Sequence, residues 1–296
     1  MNNQTMIERD MSKVTYKQRV VRVFVLIGLY TFLIIMALIV LFPFYWMLSS
    51  SLKSVHEFYE SIPTPFPMHD GVQWVNYVDA FNAASLGTLF LNTVYVGLVS
   101  TVLSLIITVL SAFAFARLEF KGKNVLFAAL LATMMIPGEL FTITNYQTVA
   151  LLGWPRTYVV LIVPFLVSVF YIYLLRQNFL QIPNELYLAA KVDGTSDIKY
   201  LWKVMIPLAL PTLISITILK MMGAWNSYMW PLLVANDEPH KLITNGLRTA
   251  FEQVDGYTNI PTQMAAVAIV SLPLFLVFIF LRKYIMKGVS RSGIKG

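Results

Sequence analysis

Long runs of apolar residues, separated by short polar stretches, dominate the chain. A transmembrane helix needs about 20 mostly apolar residues to cross the hydrocarbon core, and each run is of about that length or longer. The polar stretches leave no room for a separate soluble domain. The pattern therefore predicts an all-α polytopic membrane protein with six transmembrane helices. The runs are 21–48, 86–115, 124–148, 157–175, 207–234 and 262–281.

The same pattern divides the chain into tails, loops and a helical core. The third run carries Pro137-Gly138 in its middle, and we expect its helix to break there, since proline removes a backbone donor. The predicted segments are an N-terminal tail (1–20), a first transmembrane helix (21–48), an outer loop (49–85), a core of five helices (86–282) and a C-terminal tail (283–296).

Composition supports a membrane protein and excludes cysteine chemistry. Of the 296 residues, 57% are hydrophobic and 12% are charged, whereas soluble proteins carry about 25% charged residues. The chain has no cysteine, which excludes disulfides, thiolate metal sites and cysteine nucleophiles. The first apolar run is far longer than the 7–15 residues of a signal peptide, so we expect it to stay attached as the first span.

The basic residues are distributed unevenly between the two sides of the predicted membrane. Most of the 22 lysines and arginines fall in the tails, in the turn at 117–123 and in the stretch 182–206. Positive charge marks cytoplasmic loops, so we expect both termini and this stretch to be cytoplasmic. Attraction to anionic lipid then accounts for the net charge of +7 without a nucleic-acid partner.

One polar interruption, which we call the central segment (182–211), carries two helical patterns. Asn184 is the predicted N-cap of the first pattern, and Asp193-Gly194 supplies a turn. The second pattern places apolar side chains on one face at helical spacing. Helices this short are marginal alone, so the pair needs a docking surface, either the chain's own bundle or a separate cytoplasmic protein. That face consists of Ile198, Leu201, Trp202 and Met205.

The central segment resembles the "EAA" coupling loop of type I ABC importer membrane subunits. The glutamate of the EAA motif is replaced by Leu188 in this chain, which puts in doubt any polar contact that the glutamate makes in relatives. The matching residues are Ile182-Pro183, Ala189-Ala190, Asp193-Gly194, Pro207-Leu208 and Pro211. AFAFAR (112–117), MIPGE (135–139), WNSYMWPLLV (225–234) and the terminal glycine-lysine pattern resemble the carbohydrate-importer branch, in particular the maltose-type second membrane subunit.

This resemblance implies a type I permease fold and a set of partners. An extracytoplasmic binding protein would deliver the sugar, a homologous second permease subunit would complete the pathway, and two cytoplasmic ATPase subunits would hold ATP and magnesium. It also implies ATPase contacts by the C-terminal tail, at Gly293 and Lys295. Within the central segment, the implied ATPase contacts are Glu185, Ala189, Ala190, Asp193, Gly194, Trp202 and Pro207.

Enzymatic activity is not expected from these residues. The chain lacks the G-x-x-x-x-G-K-[ST] phosphate loop, so ATP hydrolysis would belong to a separate polypeptide and no cofactor would be bound here. Three histidines (His56, His69 and His240) lie in predicted outer loops and are interpreted as solvated. Two alternatives remain, a peptide or amino-acid importer of the same superfamily and a self-sufficient secondary transporter.

Two charges, Glu139 and Lys220, fall at membrane depth. An ionised side chain there costs about 2.5–3.5 kcal/mol, which pairing between the two would offset; alternatively, one or both line the substrate path. We expect the neighbourhood of Glu139, with Asn145 farther out, to line the pathway, and Trp225 and Asn226 to have a pathway or packing role. Tyr228 and Trp230, near the end of the same run, are interpreted as interfacial anchors.

Overall fold

A computed structural model describes residues 16–251 and 259–290, and within these ranges every regular element is helical. The helices, in chain order, are α1 (Tyr16–Ser51), α2 (Val55–Phe58), α3 (Val75–Ala83), α4 (Leu86–Arg117), α5 (Lys123–Thr133), α6 (Thr142–Leu151), α7 (Tyr158–Ile162), α8 (Val169–Leu180), α9 (Asn184–Val192), α10 (Asp197–Tyr200), α11 (Ile206–Leu208), α12 (Leu210–Trp225), α13 (Met229–Val234), α14 (Ile243–Ala250) and α15 (Ile260–Ser290). Short 3₁₀ turns lie at Gly138–Phe141, Val163–Phe165 and Glu238–His240, and a π turn at Leu201–Met205.

The chain forms two compact units, Met1–Trp74 and Val75–Gly296. In the first, α1 exposes every side chain from 21 to 45, most of them apolar. A helix that is apolar all round is typical of a membrane span. The loop after α1 folds back on the end of this helix, where the side chain of Ser49 donates to the carbonyl of Pro65 at 2.6 Å.

A buried polar knot stabilises this loop. Lys53, only 2% exposed, donates to the carbonyl of Thr64 at 2.5 Å and lies over the ring of Trp46. The carboxylate of Glu57, 1% exposed, accepts from the Thr64 hydroxyl at 2.8 Å and from the Met68 amide at 2.7 Å. Burying two charges is costly unless each is hydrogen-bonded, and both are.

In the second unit, α4 is the central helix and packs against α8, α12 and α14. Helix α15 covers α12 and α3. The face of α4 that meets these helices carries small and polar residues, including Thr93, Gly97 and Ser104. Small residues let helix backbones approach closely in a membrane protein, which explains why a helix this apolar also buries hydroxyl groups.

The spans confirm the predicted all-α polytopic fold. In the described part of the chain, three helices are long and apolar enough to cross a membrane: Val20–Ser51, Leu86–Arg117 and Ile260–Arg282. Three bent pairs bring the number to as many as six, with bends of 84° at 134–137, 44° at 166–168 and 80° at 209. The first bend confirms the break expected at Pro137-Gly138.

The fifth predicted run, 207–234, is not one helix. Helix α12 ends at Trp225, and α13 begins only at Met229. If the helix continued, the ring of Pro231 would clash with the carbonyl of Ser227. The side chain of Asn226 instead donates to the carbonyl of Met222 at 2.9 Å at the end of α12.

Replacing Glu57 with Gln tests the polar knot. Burial alone would raise the pKa of this carboxyl, but hydrogen bonds from Met68, Thr64, His69 and Asp70 together hold its pKa below the ordinary value of 4.5. The contribution of Glu57 to loop stability is therefore complete above pH 4.5 and is lost as the pH falls through the lowered native pKa. We expect the wild-type loop to lose its structure only in acid. Tryptophan fluorescence measured against pH would record this transition.

In Glu57→Gln, a side-chain amide faces backbone donors. We expect the stability of the loop to fall by about 1–3 kcal/mol at neutral pH, and the acid transition to be absent. Glu119→Gln, at a carboxylate that is 90% exposed, should behave as the wild type. An unchanged acid transition in Glu57→Gln would contradict this account.

Replacing Gly246 with Ala tests the contact between α14 and α4. A Cβ at Gly246 would lie 2.6 Å from Cδ1 of Leu89 and closer still to its Cδ2. Because Leu89 is buried, at 3% exposure, its side chain must shift to make space, and we expect the free energy of unfolding to fall by about 1–3 kcal/mol from overpacking. Gly28→Ala, at a glycine with open space around it, should leave the unfolding temperature in detergent unchanged or slightly higher.

Candidate functional site

The central segment forms two short helices joined by a tight turn. Helix α9 begins at Asn184, with Pro183 in the cap position, so the prediction that Asn184 is the N-cap was one residue off. Gly194 has φ +67°, a conformation that glycine adopts without strain. The Thr195 amide donates to the carbonyl of Ala190 at 2.8 Å and closes the turn.

An ion pair and a hydrogen bond hold the two helices of the central segment together. Asp197, the first residue of α10, lies 2.7 Å from the ammonium of Lys191 and accepts from the hydroxyl of Tyr187 at 2.8 Å. The Lys191 ammonium first, and the Tyr187 hydroxyl second, lower the pKa of Asp197. Both charged side chains are partly exposed, so the pair fixes geometry and contributes little stability.

The second helix of the central segment buries one side against the core of the second unit. Tyr200, Leu201 and Met205 are at most 1% exposed and pack with Phe179 and Ile182. Of the four side chains predicted to share an apolar face, therefore, only Leu201 and Met205 are buried. The π turn at Leu201–Met205 changes the side-chain spacing that an ideal helix would give.

Arg117, at the end of α4, fixes the start of the central segment. Its Nη2 donates to the carbonyls of Phe179 at 2.9 Å and of Ile182 at 2.6 Å, and the side chain is 8% exposed. Phe179 lies in the last turn of α8 and Ile182 just beyond it, at a helix end where a cation is favourable. This role of Arg117 was not predicted from the sequence, although an arginine that ends an apolar run was a visible signal.

The opposite side of the central segment presents apolar residues to the outside. Trp202 is 64% exposed and Val192 87% exposed. Among the described residues, Trp202 is therefore not buried against the chain's own helices. Of the predicted ATPase contacts, Ala190 is half-buried and the others are exposed: Glu185, Ala189, Asp193, Gly194, Trp202 and Pro207. We call the apolar group Leu186, Leu188, Val192, Ile198 and Trp202 the exposed apolar surface.

A cavity of about 280 Å³ lies beside Lys220, between α4, α7, α12 and α13. The ammonium of Lys220 donates to the carbonyl of Phe165 at 2.5 Å. Trp230, 8% exposed, donates to the carbonyl of Val160 at 2.9 Å and meets the ring of Phe165 edge to face. Trp230 is thus part of the cavity wall, and its interpretation as an interfacial anchor was wrong.

The other predicted pathway residues lie apart from this cavity. Glu139 and Asn145 are exposed, on the 3₁₀ turn Gly138–Phe141 and on α6. Trp225 is buried and packs against the ring of Phe90 at 5.6 Å between centroids. Asn226 is exposed. No ion pair joins Glu139 to Lys220 among the residues that the structure describes.

Three further predictions concern Tyr228, His240 and the C-terminal tail. Tyr228, which was interpreted as an interfacial anchor, accepts a hydrogen bond from Arg248 and lies beneath its guanidinium. Its role as an anchor stays a prediction. His240 is not a solvated side chain, because its ring packs on Tyr158 and its Nδ1 lies 2.7 Å from Asp237. Gly293 and Lys295, the predicted tail contacts, lie outside the described residues.

Comparison with known proteins agrees with a multi-pass membrane permease, the class that these helices and the central segment define. A profile described as "Binding-protein-dependent transport system inner membrane component" matches residues 104–291, more than half of the chain. The chain therefore belongs to this family and is a permease subunit of a binding-protein-dependent ABC transport system.

Individual relatives span most of the chain. The arabinooligosaccharides transport system permease AraQ of Halalkalibacterium halodurans is 32% identical over 75% of this chain and 79% of its own length. The sn-glycerol-3-phosphate permease UgpE of Rhizobium meliloti is 31% identical over 87% of this chain and 93% of its own. A bacterial ABC transporter that imports the acidic polysaccharide alginate contains a chain that is 25% identical, with a TM-score of 0.79, covering 89% of this chain and 96% of that one.

Replacing Arg117 with Ala should detach the central segment from α4. The two carbonyls lose a charged donor in a buried site, which costs about 1.5–3 kcal/mol per such hydrogen bond. We expect a lower unfolding temperature and faster amide hydrogen exchange across 182–205, measured on the purified protein. Arg282→Ala, at an exposed arginine of α15, is the control. Equal amide hydrogen exchange across 182–205 in the two variants would contradict the role of Arg117.

Proposed function

We propose that this chain is one permease subunit of an ATP-driven importer for an oligosaccharide, in the plasma membrane of a bacterium. Relatives named for arabinooligosaccharides and alginate support a carbohydrate substrate. The relative named for glycerol-3-phosphate extends the range to a small anionic solute. A peptide or amino-acid substrate has no support among these relatives.

The exposed apolar surface carries this proposal. One side of the central segment is anchored by Arg117 and the buried Tyr200, while the other presents Trp202 and Val192. The unequal distribution of basic residues favours a cytoplasmic position for this segment. An exposed apolar patch rimmed by polar residues is typical of a protein interface. We therefore assign it to a separate cytoplasmic ATPase subunit, which would bind ATP and magnesium.

The remaining partners follow from the same proposal. A second, homologous permease subunit would pair with this one, and a second ATPase subunit would serve it. An extracytoplasmic binding protein would deliver the substrate to the outer loops. Glu139, Asn145 and Lys220 are proposed to line the path, and Gly293 and Lys295 to contact the ATPase.

In the proposed mechanism, nucleotide-driven closure of the ATPase pair moves the central segment. Because Arg117 joins this segment to α4 and the π turn at Leu201–Met205 continues through α11 towards α12, the movement reaches both helices. Their displacement would open the substrate path alternately to either side. The chain itself contributes binding and motion, with no chemical step.

Replacing Trp202 with Ala tests the ATPase assignment. A buried tryptophan at the centre of an interface commonly contributes 2 kcal/mol or more to binding, equivalent to about 30-fold in affinity at this value. We expect Trp202→Ala to lose most copurifying ATPase activity and ATP-dependent uptake, while membrane insertion and unfolding temperature stay unchanged. Trp74→Ala removes a tryptophan of similar exposure, 66% against 64%, from the outer loop and should retain the copurifying ATPase activity.

Two results would overturn the proposal. If Trp202→Ala retained full copurifying ATPase activity and full uptake, the exposed apolar surface would not be part of the interface. Uptake by the purified chain alone in liposomes, independent of nucleotide, would instead support a secondary transporter.

A further inference from the structure

Lys220 is the only charged side chain in the cavity wall formed by the described residues. It belongs to α12, a membrane-spanning helix, where an ionised side chain is costly and marks a functional site by default. Its described hydrogen-bond partner is a neutral carbonyl, that of Phe165. No described aspartate or glutamate forms an ion pair with it.

The ammonium has capacity left for a ligand. A lysine carries three N–H donors, and the carbonyl of Phe165 takes one of them. The cavity beside it has open space at Gly223, in its wall, where no atom lies within 4 Å of the place where a Cβ would be. A donor group facing open space within a low-dielectric membrane attracts an anion strongly.

The rest of the wall suits a sugar ring. Trp230 and Phe165 supply flat apolar surfaces, and Ser100 and Ser227 supply hydroxyl groups. A few polar groups on a mostly apolar wall are typical of small-molecule sites. The volume of about 280 Å³ is near the lower end of the range for such sites, roughly 300–1,000 Å³, and fits a single sugar unit better than a longer chain.

We propose that the cavity is a substrate subsite and that Lys220 recognises the carboxylate of an acidic sugar, such as a uronic acid unit. This inference rests on the proposed carbohydrate importer and narrows its substrate to an anionic class. Lys220 would form a charge-assisted hydrogen bond to the carboxylate, which is shorter and stronger than a neutral one. The carboxylate would in turn offset the cost of holding the ammonium within the membrane.

The inference can be tested on the full permease complex in lipid nanodiscs by saturation-transfer NMR. The two probes are glucuronate and its methyl ester, which share one ring and differ in charge. With the wild type we expect transfer to glucuronate and at least tenfold weaker binding of the ester, since a hydrogen bond to a charged group is lost. Lys220→Met should remove this preference, whereas Lys220→Arg should keep it.

Lys121→Met serves as the control, because it removes an exposed lysine from the turn after α4 and should bind both probes as the wild type does. Equal binding of the two probes, an unchanged preference in Lys220→Met, or no glucuronate binding would each overturn the inference. The last result is expected if a carboxylate of the second permease subunit pairs with Lys220. Nucleotide-dependent oligosaccharide uptake is a separate measurement, so the proposed function can hold when this inference fails.

Discussion

The arrangement of the second unit depends on two hydrogen bonds, which Arg117 donates to the carbonyls of Phe179 and Ile182. A helix end leaves unpaired carbonyls, and a buried end without partners would be unstable. Arg117 satisfies this requirement from a neighbouring helix, so α4 and α8 end at the same point. The central segment begins there with Tyr200, Leu201 and Met205 buried, while Val192 and Trp202 remain exposed.

The chain holds two lysines, the buried Lys53 and the half-buried Lys220, in different ways. Lys53 is enclosed by a carbonyl and the ring of Trp46, and the nearby carboxylate of Glu57 completes the knot through Thr64. That arrangement is closed and structural. Lys220 has one carbonyl and an open cavity. Lys53 is therefore enclosed, whereas the half-buried Lys220 keeps N–H donors that a ligand could satisfy.

The sequence predicted the elements that depend on local chemistry. Apolar runs located the spans, Pro137-Gly138 located a break, and Gly194 located the turn with positive φ. It did not predict features that depend on tertiary contacts. Periodicity placed Leu201 and Trp202 on one face, but the π turn and the position of α8 bury the first and expose the second. Tryptophan is a residue type common at membrane interfaces, yet the indole N–H of Trp230 donates to the carbonyl of Val160 inside the bundle.

The two candidate sites lie on one continuous stretch of chain. Trp202 is in the π turn that follows α10, and Lys220 is in α12, which leaves the end of α11 at an angle of 80°. Pro207 and Pro211 flank this bend, and proline removes the backbone donors that would otherwise hold the helix straight. In the proposed mechanism, a bend that kept its angle would carry a displacement of the central segment into α12. The wall of the cavity would then move with the surface proposed for the ATPase.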